Sequence, residues 1–269
     1  MAHFSERDLP TRFPRSYDSD YKSYDLVTLD VNGDGFSDLF ISNRMSFGSD
    51  DNEILLNDGN GNFQLLSDEE VESEGVKELL REGYSTCAVV GDFDGDGSDD
   101  LFLGQVSQYT PNSFWFNNHN GIPGHFHRTI MENSGQTRAA VAFDADMDGD
   151  LDVFVVNYNE LCELLINDGS GSFTSSDGGD ATSTVSTWTS AVAADFDGDG
   201  AVDLFVSAMG SNDKNMLLLN NGDGTFVSVD EEEELAEKPG FKFIGLDIDG
   251  DGDGTSTEYC FHCQKLFLI

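Results

Sequence analysis

The chain has 269 residues, 52 of them acidic and 13 basic, for a formal net charge of −39. That excess excludes nucleic acid and anionic membrane surfaces as partners and favours cations, basic proteins or neutral glycans. The 21 phenylalanines at repeating positions exclude a disordered acidic polymer, and no run approaches the roughly 18 apolar residues of a membrane-spanning helix.

Residues 1–23 read as an N-terminal segment. It has no apolar core of the kind a secretion signal carries, so the chain is expected to be a piece of a larger secreted protein or to work at a high-affinity cytosolic site. Phe4-Ser5-Glu6-Arg7 resembles the stretch that begins at Phe63, just after a glycine-rich turn, which makes this segment a candidate closing strand. From Tyr24 one pattern recurs: an apolar stretch, an acidic loop, a second apolar stretch and a glycine-rich turn. The leading stretches are Tyr24–Leu29, Thr86–Val90, Ala139–Phe143, Ala191–Ala194 and Phe241–Leu246.

The first loop offers side-chain oxygens from Asp30, Asn32, Asp34 and Asp38 at positions 1, 3, 5 and 9, with the carbonyl of Phe36 at position 7. The second repeats this with Asp92, Asp94, Asp96 and Asp100 and the Ser98 carbonyl. The third uses Asp144, Asp146, Asp148 and Asp152 with Asp150, and the fourth Asp195, Asp197, Asp199 and Asp203 with Ala201. A fifth, degenerate copy has Asp247, Asp249 and Asp251 but Thr255 at position 9. Only a hard cation wants so many oxygens on so short a loop; calcium takes six to eight of them at roughly 2.3–2.6 Å. A glycine at position 6 permits the positive φ of the sharp turn. The fifth loop also fits the helix–loop–helix calcium formula through Gly252 and Glu258, but its approach, Gly240-Phe-Lys-Phe-Ile-Gly245, is strand-like. Ile41, Leu103, Val155 and Val206 at position 12 exclude that formula in the other four.

After each of the first four loops come Leu39-Phe40-Ile41, Leu101-Phe102-Leu103, Val153-Phe154-Val155 and Leu204-Phe205-Val206, apolar on both faces as strands buried from both sides are. The third stretches end in Asn57-Asp58-Gly59, Asn167-Asp168-Gly169 and Asn220-Asn221-Gly222, strong hairpin signals, and the second repeat carries an expanded turn after Asn117. The extra residues of the first repeat, Ser67–Gly83, open on a capping box at Ser67 and Glu70, with Val71, Leu79 and Leu80 as an apolar face; a short helix is expected there. The first aspartates stand at 30, 92, 144, 195 and 247, and a period near 50 signals a propeller or an array.

The calcium loop, the Leu-Phe strand after it and the Asn-x-Gly-x-Gly-x-Phe turn, in register four times, make the chain resemble the FG-GAP/VCBS repeat family of integrin α-subunit headpieces and many surface proteins. The resemblance covers about residues 24–253. It implies an all-β fold, a β-propeller of four-stranded blades, with calcium between the first two strands of each blade. Four repeats are complete, at about 24–85, 86–138, 139–190 and 191–240, and a fifth is partial, at 241–269. The propeller spanning 24–269 is then either a closed five-bladed ring or a fragment of a larger one.

On family grounds the expected function is a non-enzymatic, calcium-stabilised adhesion or ligand-binding module of a cell-surface or secreted protein, with a protein or glycan ligand. The alternative is a calcium-dependent enzyme acting on polysaccharide, or its accessory domain. Its sequence support is the group His119, His125 and His127 in the expanded second turn, with Trp115 and Trp188 as rings that could stack on sugars. Cys87, Cys162, Cys260 and Cys263 are too scattered for a disulfide framework, and Cys260-Phe-His-Cys263 lacks the second ligand pair of a zinc site.

Overall fold

The computed structural model describes residues 22–44, 52–66, 74–106, 110–117, 126–131, 135–209 and 214–229, with the backbone of 259–262 and 265–268. The chain divides into two compact units, Met1–Ser134 and Gly135–Ile269. In the first, β1 (Lys22–Leu29), β2 (Asp38–Arg44), β3 (Glu53–Asn57) and β4 (Phe63–Leu65) form one antiparallel sheet in sequence order. A helix, α1 (Glu74–Arg81), precedes a second such sheet of β5 (Ser85–Gly91), β6 (Asp100–Gln105), β7 (Ser113–Asn117) and β8 (Phe126–Ile130). The fold class is that expected from the sequence: all-β, built of the four-stranded blades of a β-propeller.

The second unit repeats the plan with β9 (Thr137–Phe143), β10 (Asp152–Leu161), β11 (Glu163–Asn167) and β12 (Phe173–Ser176), then β13 (Val185–Ala194), β14 (Asp203–Ala208), β15 (Met216–Asn220) and β16 (Phe226–Val229). Here the two blades share one strand. β10 pairs with β9 and β11 along its first half, then continues so that Tyr158 and Leu161 oppose Thr187 and Val185 of β13. A hairpin of β17 (Tyr259–His262) and β18 (Lys265–Leu268) lies near the end of the chain. The proposed closing strand in 1–21 and the leading stretch Phe241–Leu246 fall outside the described residues, and ring closure with them.

Burial follows position within the sheet. β6 is buried at every residue, and Phe40, Phe102 and Phe154 are fully enclosed, each worth roughly 1.5–3 kcal/mol of transfer free energy. Phe205, at the same register, is only half-buried. β1 is an edge strand, and its Tyr24, Leu26 and Thr28 are exposed. In the first unit one core joins both blades and the helix, through Leu29, Phe40, Ile54, Leu101, Trp115 and Phe126 with Val76, Leu79 and Leu80.

The helix lies inside the segment where one was expected but begins at Glu74, past the capping box at Ser67 and Glu70, which lies outside the described residues with Val71. It packs tightly on β8: a Cβ on Gly75 would come within 2.1 Å of the Phe126 carbonyl oxygen. In the second unit Phe143, Phe154, Leu164, Trp188, Leu204, Leu218 and Phe226 form the core.

Candidate metal centres

Each acidic loop joins the first strand of a blade to the second, and the strand register sets its ends. Leu29 pairs with Asp38, Gly91 with Asp100, Phe143 with Asp152 and Ala194 with Asp203, so position 9 is the first residue of the second strand. Between those ends the chain curls around the position-1 carboxylate. Asp30 Oδ2 accepts from Gly35 N at 2.7 Å, Asp92 from Gly97 at 3.0 Å, Asp144 from Gly149 at 3.0 Å and Asp195 from Gly200 at 2.9 Å. The position-5 carboxylate in turn accepts from the position-7 amide, of Phe36, Ser98, Asp150 or Ala201, at 2.8–3.0 Å.

The position-6 glycines have φ of 86–99°, and a Cβ there would meet nothing within 4 Å. Backbone conformation, not crowding, therefore demands glycine. Position 4 also turns left-handed, at Gly33, Gly95 and Gly198, but in the third loop a methionine, Met147, holds φ at 61°.

The curl brings carboxylates together. Oxygens of Asp92, Asp94 and Asp96 lie within 4.8 Å of one another, as do those of Asp144, Asp146 and Asp152, and those of Asp195, Asp197 and Asp199. In the first loop the place of the third carboxylate is taken by Asn32, whose amide donates to Asp34 at 3.0 Å. Two unit charges at such separations repel by roughly 1–3.5 kcal/mol between the limits of bulk water and an effective dielectric near 20.

The titration of the group reflects this. Burial, then the neighbouring aspartates, raises Asp94 and Asp146 above the ordinary carboxylate range against opposing backbone hydrogen bonds. Burial likewise raises Asp38 and Asp203, and it pushes Asp152 to about 6 and Asp100 to about 7. The charges acting on these groups are other aspartates of the same loop. An all-oxygen donor set that repels itself in this way fits a hard divalent cation such as calcium. Without thiolate or imidazole, it does not fit the softer sites of zinc.

Position 9 has a second task. Asp38, Asp100, Asp152 and Asp203 are wholly buried. Oδ2 of each accepts from the position-2 amide: Val31 at 3.0 Å, Phe93 at 2.9 Å, Ala145 at 2.8 Å and Phe196 at 2.7 Å. Oδ1 accepts from the last amide of the third strand: Asn57, Asn117, Asn167 or Asn220, at 2.7–2.8 Å. These carboxylates brace the loop to the blade, and each oxygen keeps a lone pair for an ion. The sequence reading missed this bracing and the role of position 2, where Val31, Phe93 and Ala145 are buried and anchor the loop in the core. The alternation of apolar position 2 with acidic positions 1 and 3 was the available signal.

The remaining expected residues fare differently. Asp247, Asp249 and Asp251 of the fifth loop lie outside the described residues, as do His119 and His125. His127 is exposed on β8. Trp115 and Trp188 are buried, at 0 % and 2 % exposure, so neither ring is presented for stacking on a sugar. Trp115 Nε1 donates to Ser113 Oγ, and the Arg128 guanidinium, paired with buried Glu82, lies 5.3 Å from the Trp115 ring centre. Cys87 and Cys162 are buried thiols that form no disulfide, and burial pushes the Cys162 thiol up to about 12.

A model of the FG-GAP-like repeat matches residues 30–103, 92–155, 144–206 and 195–254, the first three matches running from one acidic loop past the next and the fourth into the fifth loop. The chain belongs to the FG-GAP-like repeat family. Among curated proteins none matches it. Among solved structures it is similar to the crystal structure of the exotype rhamnogalacturonan lyase YesX, at 14 % identity and a TM-score of 0.43, over 90 % of this chain and 54 % of that one. The FG-GAP chain thus spans about half the length of that protein. That neighbour is an enzyme, which stands against the expectation that this chain is non-enzymatic, and at this likeness neither its activity nor its substrate passes to this chain. Among the described residues no helix is long and apolar enough to cross a membrane.

Proposed function

We propose that this FG-GAP-like chain is a calcium-binding module in which ions held by the strand-connecting loops stiffen each blade, and which offers the stiffened blades to a protein or glycan ligand. The observation that carries the reading is the convergence of three carboxylates within 4.8 Å in the second, third and fourth loops. The ion supplies positive charge that offsets their repulsion. Asp92, Asp94, Asp96 and Asp100 would hold one ion; Asp144, Asp146, Asp148 and Asp152 a second; Asp195, Asp197, Asp199 and Asp203 a third. Asp30, Asn32, Asp34 and Asp38 would hold a fourth with one carboxylate fewer, and the carbonyls of Phe36, Ser98, Asp150 and Ala201 complete the sets. Asp247, Asp249 and Asp251 form a weaker fifth site in the same scheme.

Because the unfolded chain has no preformed site, binding free energy becomes folding free energy. The proposal extends to a cell-surface or secreted setting, where calcium is abundant enough for modules of modest affinity. The strong net negative charge favours basic proteins or neutral glycans as ligands. Calcium titration of the chelator-stripped chain, followed by bound-ion count and melting temperature, tests it. Four or five ions and a marked rise in melting temperature are expected; no binding at millimolar calcium refutes it.

A further inference from the structure

Adjacent loops are joined by a hydrogen-bonded relay, and the same relay is built in both units. In the first, Asp38 Oδ2 accepts from Val31 N at 3.0 Å, and the Val31 carbonyl accepts from Asn117 Nδ2 at 3.3 Å. Asn117 N then donates to Asp100 Oδ1 at 2.7 Å. The chain of three bonds runs from position 9 of the first loop to position 9 of the second, through one asparagine. In the second unit Asp152 Oδ2 accepts from Ala145 N at 2.8 Å, the Ala145 carbonyl from Asn220 Nδ2 at 2.9 Å, and Asp203 Oδ1 from Asn220 N at 2.8 Å. The atoms and their order are the same.

A second link accompanies each relay. Asp99 Oδ2 accepts from Asp30 N at 2.9 Å in the first unit, and Gly224 N donates to the Ala145 carbonyl at 3.1 Å in the second. Asn117 and Asn220 are 1 % and 4 % exposed, so these contacts lie largely out of reach of competing water.

We infer that calcium binding by the first loop is coupled to that of the second through Asn117, and binding by the third to that of the fourth through Asn220. The inference rests on the calcium reading above. An ion in the first loop requires Asp30 to Asp38 to hold one conformation against their mutual repulsion. Holding it fixes the position-2 peptide, whose carbonyl sets the Asn117 side chain and with it the amide that orients Asp100. Part of the ordering that the second loop needs is then already complete, so its ion binds more tightly. Linkage makes the effect reciprocal. Position 2 is apolar and buried in both acceptor loops, at Val31 and Ala145, so the peptide that carries the coupling is anchored in the core and transmits displacement instead of absorbing it.

Native mass spectrometry of the stripped chain across a calcium titration tests the pairing, because it counts ions molecule by molecule. Cooperative pairs deplete the species with one and three ions relative to a statistical distribution, with the second ion of a pair bound about 5-fold or more tightly than the first. Asn117→Ala with Asn220→Ala should restore the statistical distribution while leaving the maximum ion count unchanged. Asn117→Asp with Asn220→Asp, which keeps the side-chain shape and the Gly222-capping oxygen but removes the donor, should act likewise. A statistical distribution in the unaltered chain overturns the inference, as does pairing that persists in both variants. An ion count of zero overturns the calcium reading itself, and the pairing with it.

Discussion

Bracing and ligation can be separated by comparing Asp100→Ala with Asp96→Ala. Asp100 is fully buried, and its two oxygens satisfy the amides of Phe93 and Asn117, in a setting where Phe93 is 0 % and Asn117 1 % exposed. Removing the carboxylate leaves both amides without a partner and without water. At about 1–3 kcal/mol for each orphaned group, the variant should lose roughly 2–6 kcal/mol, a large share of the roughly 5–15 kcal/mol that keeps a domain folded. The loss should be the same kind of loss with calcium or without it. Asp96 is exposed and accepts one amide, that of Ser98. Its removal relieves repulsion from Asp94 and should leave the calcium-free chain within about 0.5 kcal/mol of the parent, as surface changes generally do, while lowering the calcium-loaded stability. Urea denaturation of both variants, in chelator and in millimolar calcium, reads the difference. If Asp100→Ala is destabilised only when calcium is present, position 9 is a ligand alone and the bracing argument is wrong.

Met147→Gly should stabilise the calcium-free chain by about 1 kcal/mol, since a methionine at φ 61° occupies a place that Gly33, Gly95 and Gly198 fill elsewhere; an unchanged or lower melting temperature refutes this. Gly75→Ala should cost on the order of 1–3 kcal/mol, because its Cβ would lie 2.1 Å from the Phe126 carbonyl oxygen and the helix must move off β8; the loss of helical protection from hydrogen exchange at Leu79 and Leu80 would show it. Stability should respond to pH in opposite senses with and without calcium. Asp100 and Asp152, raised to about 7 and about 6 from 3.8, bind protons more readily folded than unfolded. Their contribution is therefore full below pH 3.8 and is lost as pH rises through 6 to 7. Asp58, Asp168, Asp180 and Asp223 are held low by hydrogen bonds, so their contribution is present above 3.8 and is lost on further acidification. The chelated chain should thus melt at its highest temperature between about pH 4 and 6 and lose stability towards pH 8, whereas calcium, which binds the ionised carboxylates, should reverse that slope. A chelated melting temperature that rises from pH 6 to 8 would contradict it.

Much of this architecture could be read along the chain because it repeats. The strand before each loop, the Leu-Phe strand after it and the Asn-x-Gly turn each recur in register, and β2, β6, β10 and β14 begin at the position-9 aspartates. What could not be read depends on neighbours distant in sequence. The donor that Val31 needs arrives 86 residues later, from Asn117, and nothing in either local segment announces the pairing. The tail of β10 crosses to β13 only because Tyr158 and Leu161 meet Thr187 and Val185, a contact set by how the third and fourth blades pack. β1 and β5 are both edge strands of their sheets, yet β1 exposes Tyr24, Leu26 and Thr28 while β5 is buried from Ser85 to Ala88, a difference that periodicity does not encode. Cys162 stands just before its third strand, where Asn52, Asn112 and Asn215 stand in the other blades and cap the preceding strand, so one blade has exchanged a polar clamp for a buried thiol.

The blades place two acidic turns side by side, and on the calcium proposal only one of them holds an ion. Phe36 of the first loop lies over Gly59, and the carboxylate of Asp150 lies over Gly169, so the strand 3–4 turn sits against the metal loop of the same blade. That turn too spaces oxygens two residues apart, at Asp58, Asn60 and Asn62, and at Asp168, Ser170 and Ser172. Its carboxylate, however, is met by donors. Asp58 accepts from the amides of Asn60 and Asn62 at 2.8 and 3.1 Å and from the Asn62 side chain at 2.7 Å. Asp168 accepts from Ser170 N at 3.0 Å and its hydroxyl at 2.7 Å. Both carboxyls are drawn below their ordinary range by these bonds. In the strand 1–2 loops the residues at positions 3 and 5 are, from the second loop on, themselves aspartates, which can accept but not donate when ionised, and burial, then these neighbouring charges, raises Asp94 and Asp146. Asp in place of Asn or Ser at two alternating positions thus exchanges donors for acceptors that repel one another, the arrangement on which the calcium proposal rests. The first loop, with Asn32 donating to Asp34, stands between the two kinds. On that ground it should bind its ion least tightly of the four when its neighbour is empty, and by linkage it gains from a filled second loop the same factor that the second gains from it.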